Sequence, residues 1–184
     1  MNDRAHYLGP WRVDLEVRPG VDLPASRSAL VRLVGLTLDA AGAPRPASIG
    51  LILSDDRELT GLNQVHMARS DPTDVLSFPL LPTGAYPWHP GRADDPGARS
   101  GPPFRLPPGV RRHLGDIVVS VERAAEQAAT GRGGQAGDRR WSAADELRLL
   151  VVHGVLHVCG WDHADPAEGT AMRALEWRLL ESSA

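Results

Sequence analysis

The chain has no lysine; all 20 of its basic residues are arginine. Together with many Ala, Gly and Pro, this reads as GC-rich base composition, not as a functional device. There is one cysteine, Cys159. No internal disulfide and no Cys-based zinc finger can form, and a reducing compartment fits. Phe and Tyr number two each against five Trp, and there is no RNP-type motif, so the sequence lacks the usual stacking platform of single-strand RNA binders. Trp161 and Trp141 read as core or cap packing. No run of about 18 apolar residues occurs, so no transmembrane helix is expected. The opening MNDRAHYLGPW has no apolar core; no secretory signal is expected, and the expected compartment is the cytoplasm. The net charge of −3 gives no global basic field, which weighs against a nucleic-acid partner but leaves a locally positive cleft open. Arg111-Arg112 and Arg139-Arg140 would supply such a rim, or are solvated loop charge.

What is present fits one domain, residues 1–184, with a single core: 42% of the residues are hydrophobic and 23% charged. Alternation predicts a strand over Trp11–Val17, and apolar runs predict strands at Ser48–Leu53, Val75–Phe78 and Asp116–Val121. Helices are expected after Ser26 (Leu30, Leu33, Val34 and Leu38 inward), over Arg57–Met67 behind a Ser54 cap, and over Arg123–Ala129. A further helix is expected after Ser142, whose Ser-x-x-Asp pattern with Asp145 is a start signal, and a last one after Asp165-Pro166. Leu81–His113 holds eight of the 16 prolines and five glycines. It is expected to be a long irregular loop, either a disordered or species-specific insertion or a substrate-facing lid. The expected fold is α+β (α/β-like), a mixed sheet of about four strands packed with helices.

The chemistry concentrates in V-V-H-G-V-L-H-V-C-G-W-D-H, residues 151–163. Residues four apart share a helix face, so His153 and His157 project together. Gly160 allows a sharp turn at the helix end that brings His163 to the same ion. Three imidazoles leave a fourth position open, the arrangement of a catalytic site. Zinc is the first expectation, one ion per chain, with nickel, copper and iron as other metals such ligands accept. Cys159 would point about 160° from His157 on a helix and is expected as a buried filler. The spacing equals that of the H-E-x-x-H-x-x-G-x-x-H proteases. Those enzymes need a Glu directly after the first His as general base; Gly154 stands there and cannot move a proton.

H-G-x-L-H-x-x-G-x-D-H resembles the signature of the YbeY family of metal-dependent, single-strand-specific bacterial endoribonucleases. Pro72–Pro79 (PTDVLSFP) is similar to that family's central motif, and Leu114–Val121 (LGDIVVSV) to its following strand. Glu58, Leu62 and Asn63 match the preceding helix, and Met172 and Glu176 match the M-x-x-x-E of the last helix. The resemblance implies a hydrolase acting on ribosomal RNA, especially at the small-subunit 3′ end, and a role in ribosome quality control. It also implies zinc on His153, His157 and His163, and, as partners, small-subunit ribosomal proteins and an assembly GTPase, with no membrane. Many members carry an aromatic–Arg pair where this chain has His66-Met67. Arg69, two residues on, is the candidate substitute and the candidate cation for developing phosphate charge. Asp162 and Asp116 are the candidate proton carriers; the plainer readings are ligand support or a cap for Asp162 and a turn residue or partner contact for Asp116. Thr73 and Ser77 are candidate substrate contacts, or ordinary strand polarity. Two other functions stay open: a different metal-dependent hydrolase, and a non-catalytic ribosome-assembly factor with a structural metal.

Overall fold

A computed structural model describes residues 4–67, 73–89, 107, 109–130 and 141–183. The elements in chain order are β1 (Arg4–Leu8), β2 (Trp11–Val17), α1 (Arg27–Ala40), β3 (Ala47–Ser54), α2 (Asp56–Met67), β4 (Val75–Pro79), β5 (Arg112–Ser120), α3 (Val121–Thr130), α4 (Ala143–Val158) and α5 (Pro166–Ser182). The sheet is mixed, in the order β1-β2-β3-β5-β4. β2, β3 and β5 run parallel, and the two edges, β1 and β4, pair antiparallel to their neighbours.

The α+β class and the mixed sheet are as the sequence predicts; among the described residues the sheet has five strands, one more than the approximate four expected. The additional strand is β1, joined to β2 through the two residues Gly9-Pro10 between paired Leu8 and Trp11. A Gly at the first position of a two-residue loop is itself a hairpin signal. The short polar run before it obscures the strand. The α2 cap also differs: the Asp55 side chain, not Ser54, accepts from the Glu58 N–H at 2.9 Å. Ser54 ends β3 and bonds the Glu58 carboxylate. Ser26, Ser142 with its capping box, and Asp165 all cap as the sequence indicates. The Leu81–His113 loop is ordered at both ends. Thr83–Ala85 form a 3-10 turn, Tyr86 and His89 are buried, and Arg112 and His113 belong to β5. Residues 90–106 and 108 of that loop, and Arg139-Arg140, lie outside the described residues.

α4 is the centre of the core. Leu147, Val151, Val152, Val155, Leu156 and Val158 are all fully buried. A helix apolar around most of its circumference must be enclosed, and each such side chain contributes about 1.5–3 kcal/mol by leaving water. α4 lies on the sheet face formed by Val75 and Ser77 of β4 and Ile117 of β5. α2 lies on the opposite face, where the His66 ring meets Phe78 edge-on at 5.3 Å. The approach of α4 is set by Gly154. A Cβ there would stand 2.6 Å from Ile117 Cγ2 and 3.1 Å from Val75 Cγ2, and the Ser77 hydroxyl donates to the Gly154 carbonyl at 3.1 Å.

Gly154→Ala should therefore destabilise the protein by about 1–3 kcal/mol, the usual cost of overpacking, despite the gain of up to about 1 kcal/mol in helix propensity. Urea midpoints of the two proteins check this. An alanine variant as stable as the wild type would show that α4 does not rest on the sheet here.

Candidate metal centre

The site begins with the end of α4. Trp161 N–H bonds the Leu156 carbonyl and Gly160 N–H the His157 carbonyl, both at 3.0 Å. This is the paired hydrogen-bond closure typical of a helix ended by a left-handed residue. Gly160 supplies that residue with φ 83°. The chain turns back, and His163 arrives beside the two histidines of the helix. Ring centroids are 4.5 Å apart for His153–His157, 5.1 Å for His157–His163 and 5.4 Å for His153–His163. One nitrogen from each ring lies within 4.8 Å of the others, so the group could hold a metal ion. The facing nitrogens of His153 and His157 are 3.0 Å apart, both Nε2.

The other nitrogen of His153 is fixed from behind. Its Nδ1 lies 2.7 Å from the carboxylate of Glu176 on α5, which is buried. A carboxylate there accepts a hydrogen bond from Nδ1–H and so leaves the Nε2 lone pair facing the cluster. Spacing alone could not reveal this partner, since 23 residues separate the two; the M-x-x-x-E match marked the residue without giving it a role. His157 is held down to about pKa 4, by burial first and then by the nearby His153 and His163. At neutral pH it is therefore an uncharged imidazole, the form that can donate a lone pair.

The three rings line a cleft of about 400 Å³ whose other wall is Thr73 to Ser77 and Pro79. Thr73 and Ser77 are thus brought to the site, but both hydroxyls donate to backbone carbonyls, of Val75 and Gly154. Asp74 also lines the cleft, and its carboxylate accepts from Val75 N–H and from the Gln127 amide. Asp162 is exposed and accepts from the His163 N–H at 2.7 Å, so it braces that loop. Asp116 is not part of the cleft. It pairs across the sheet with Phe78, on the α2 face, and bonds His113 Nε2 at 3.1 Å. A register shift between Ser48 and Gly50 places two β5 residues, Leu114 and Gly115, opposite one of β3. That bulge re-aims the chain and lets His113 and Asp116 meet. Arg69 lies outside the described residues. Cys159 is fully buried, its thiol pushed up to about 12 by that burial; it is the filler the sequence suggests and no part of the cluster. Arg111 serves packing more than solvent, its guanidinium bonding the Pro10 carbonyl and lying over Tyr7.

The His157 shift has a consequence for acid stability. The unfolded chain takes up this proton near 6.5 and the folded chain only near 4. The stability of metal-free protein should therefore be complete above 6.5 and decline as pH falls toward 4. His157→Gln, which has no imidazole to protonate, should decline less over that interval. Parallel declines in urea midpoint would contradict this.

No described helix is long and apolar enough to cross a membrane. The family described as endoribonuclease YbeY matches residues 19–184. Among curated relatives, endoribonuclease YbeY of a Roseiflexus strain is 36% identical over 171 residues, covering 92% of this chain and 91% of that protein. The protein of the same description from Salinispora tropica is 38% identical, covering 92% and 94%. The solution structure of TM1509 from Thermotoga maritima shares the fold, with a TM-score of 0.52 at 20% identity, covering 93% of this chain and 88% of that one. Motifs, fold and relatives agree, and the chain belongs to the endoribonuclease YbeY family.

Proposed function

We propose that the chain, acting as one domain, is a zinc-dependent, single-strand-specific endoribonuclease of ribosomal RNA maturation, at the small-subunit 3′ end, and of ribosome quality control. The observation that carries this reading is a three-imidazole cluster on an open cleft, in a chain of the endoribonuclease YbeY family. Single-stranded RNA is the proposed substrate. Small-subunit ribosomal proteins and an assembly GTPase are proposed partners, and the cytoplasm the proposed compartment, all on family resemblance.

The donor set fits zinc. Two imidazole nitrogens about 2.0–2.1 Å from one tetrahedral ion stand about 3.3 Å apart, close to the 3.0 Å between His153 and His157. Neutral imidazole suits zinc, and three protein ligands leave room for a reacting group. Bound there, the ion would supply Lewis-acid polarisation of a phosphoryl oxygen and activation of water. In this reading His153, His157 and His163 hold it, and Glu176 orients His153. The β4 wall from Thr73 to Ser77 borders the RNA strand. Asp162, exposed beside His163, is the proposed proton carrier, and Arg69 the proposed cation in place of the family arginine absent at Met67. Asp116, on the other face of the sheet, stays out of the machinery. A peptidase mechanism is disfavoured doubly. Gly154 carries no carboxylate, and its Cβ direction meets Ile117 and Val75, so a glutamate would not fit.

Wild type, His157→Ala and Glu176→Gln should be compared for zinc content and for cleavage of single-stranded RNA on the same preparations. The wild type should bind about one zinc and cut. His157→Ala should lose both, and Glu176→Gln should bind zinc about 10–100-fold more weakly. Zinc-loaded wild type that leaves RNA intact, and that unfolds when the zinc is chelated, would favour the assembly factor with a structural ion.

A further inference from the structure

Arg173 sits on α5 one turn after Gly169. Long side chains on a helix lean back over the preceding turn, and at Gly169 no side chain is in the way. The Arg173 guanidinium occupies that room. Its Nη1 and Nη2 are 3.3 Å and 3.7 Å from where a Cβ on Gly169 would stand, and His163 Cβ is 3.4 Å from the same point. The guanidinium and the third histidine are therefore neighbours across one small gap.

Two other helical arginines of the described chain, Arg123 and Arg148, are held by carboxylates. Arg123 pairs with Asp56 and Glu126, and Arg148 with Asp145 and the Ser183 hydroxyl. Arg173 is exposed and, among the described residues, has no carboxylate within ion-pair distance. An unpaired guanidinium beside a site suited to a divalent cation is a pair of like charges, which repel unless an anion lies between them. A phosphodiester is such an anion, and the planar fork of arginine matches its oxygens.

We propose that Arg173 is a substrate-positioning residue that binds a phosphate of the RNA strand next to the three-histidine site. The contact reads backbone charge, not base sequence, and it stands independently of Arg69. The inference rests on the endoribonuclease reading.

The test compares zinc-loaded wild type, Arg173→Ala and Arg173→Lys. Binding of a fluorescent single-stranded oligoribonucleotide is measured across a salt series, together with kcat/KM for its cleavage and zinc affinity. Loss of one phosphate contact should flatten the slope of log affinity against log salt by about 0.7 in Arg173→Ala. It should also lower kcat/KM roughly 10- to 100-fold, as losing a hydrogen bond to a charged group does. Lysine should restore part of the slope, because the charge remains, and zinc affinity should be unchanged in all three. A wild type that cuts RNA and an alanine variant with the same slope and kcat/KM would overturn the inference and leave the enzyme reading intact. Zinc affinity falling with activity would overturn it too, making Arg173 a prop for His163. A wild type that neither binds nor cuts the RNA would overturn the enzyme reading and this inference with it.

Discussion

The contact between α4 and the sheet at Gly154 governs the rest of the molecule. Because residue 154 has no side chain, the helix settles against Ile117 and Val75, and Ser77 ties its backbone to β4. His153 and His157, one position before and three after this contact, are thereby carried to the margin of the edge strand. The cleft between them and β4 follows from that approach, as does the nature of the chemistry. The position that holds a glutamate in the proteases of equal spacing is used here for packing, and a carboxylate there would have to displace the sheet.

The electrostatics of the cluster depend on the same burial. Partial enclosure by apolar neighbours keeps His157 unprotonated well below neutrality, the form in which imidazole donates a lone pair. The buried carboxylate of Glu176 sets the tautomer of His153. The one thiol near the site, Cys159, is too deeply buried to ionise near neutrality, so sulfur ligation is disfavoured. Farther off, Arg18 grips Glu58 through two nitrogens and holds its carboxyl below the usual range, helped by Ser54. This gives the family-matching Glu58 a structural role, fixing α2 to the ends of β2 and β3.

Local signals carried much of this into the sequence. The three histidines were legible because the helical period places His153 over His157, and because a glycine stands where the turn to His163 needs it. Helix starts at Ser26, Ser142 and Asp165 were legible from side chains that bond the backbone a few residues away. What depended on long-range pairing was not. β1 has too little apolar pattern to stand out before its partner is known. Asp116 looked catalytic from its motif, and only the strand register and the bulge at Leu114–Gly115 show that it faces α2. Ser54 resembled a cap because it precedes a helix, yet the sheet extends to it and Asp55 takes the role. Glu176 and Arg173 acquire meaning only when α5 folds back onto α4 and His163.

X-ray absorption at the zinc edge of the zinc-loaded protein tests the central claim most directly. The account predicts imidazole nitrogens at about 2.0–2.1 Å, three of them per ion, and no sulfur. A scatterer at about 2.3 Å, the distance of a thiolate, would mean that Cys159 leaves the core to bind, and would contradict the site described for His153, His157 and His163.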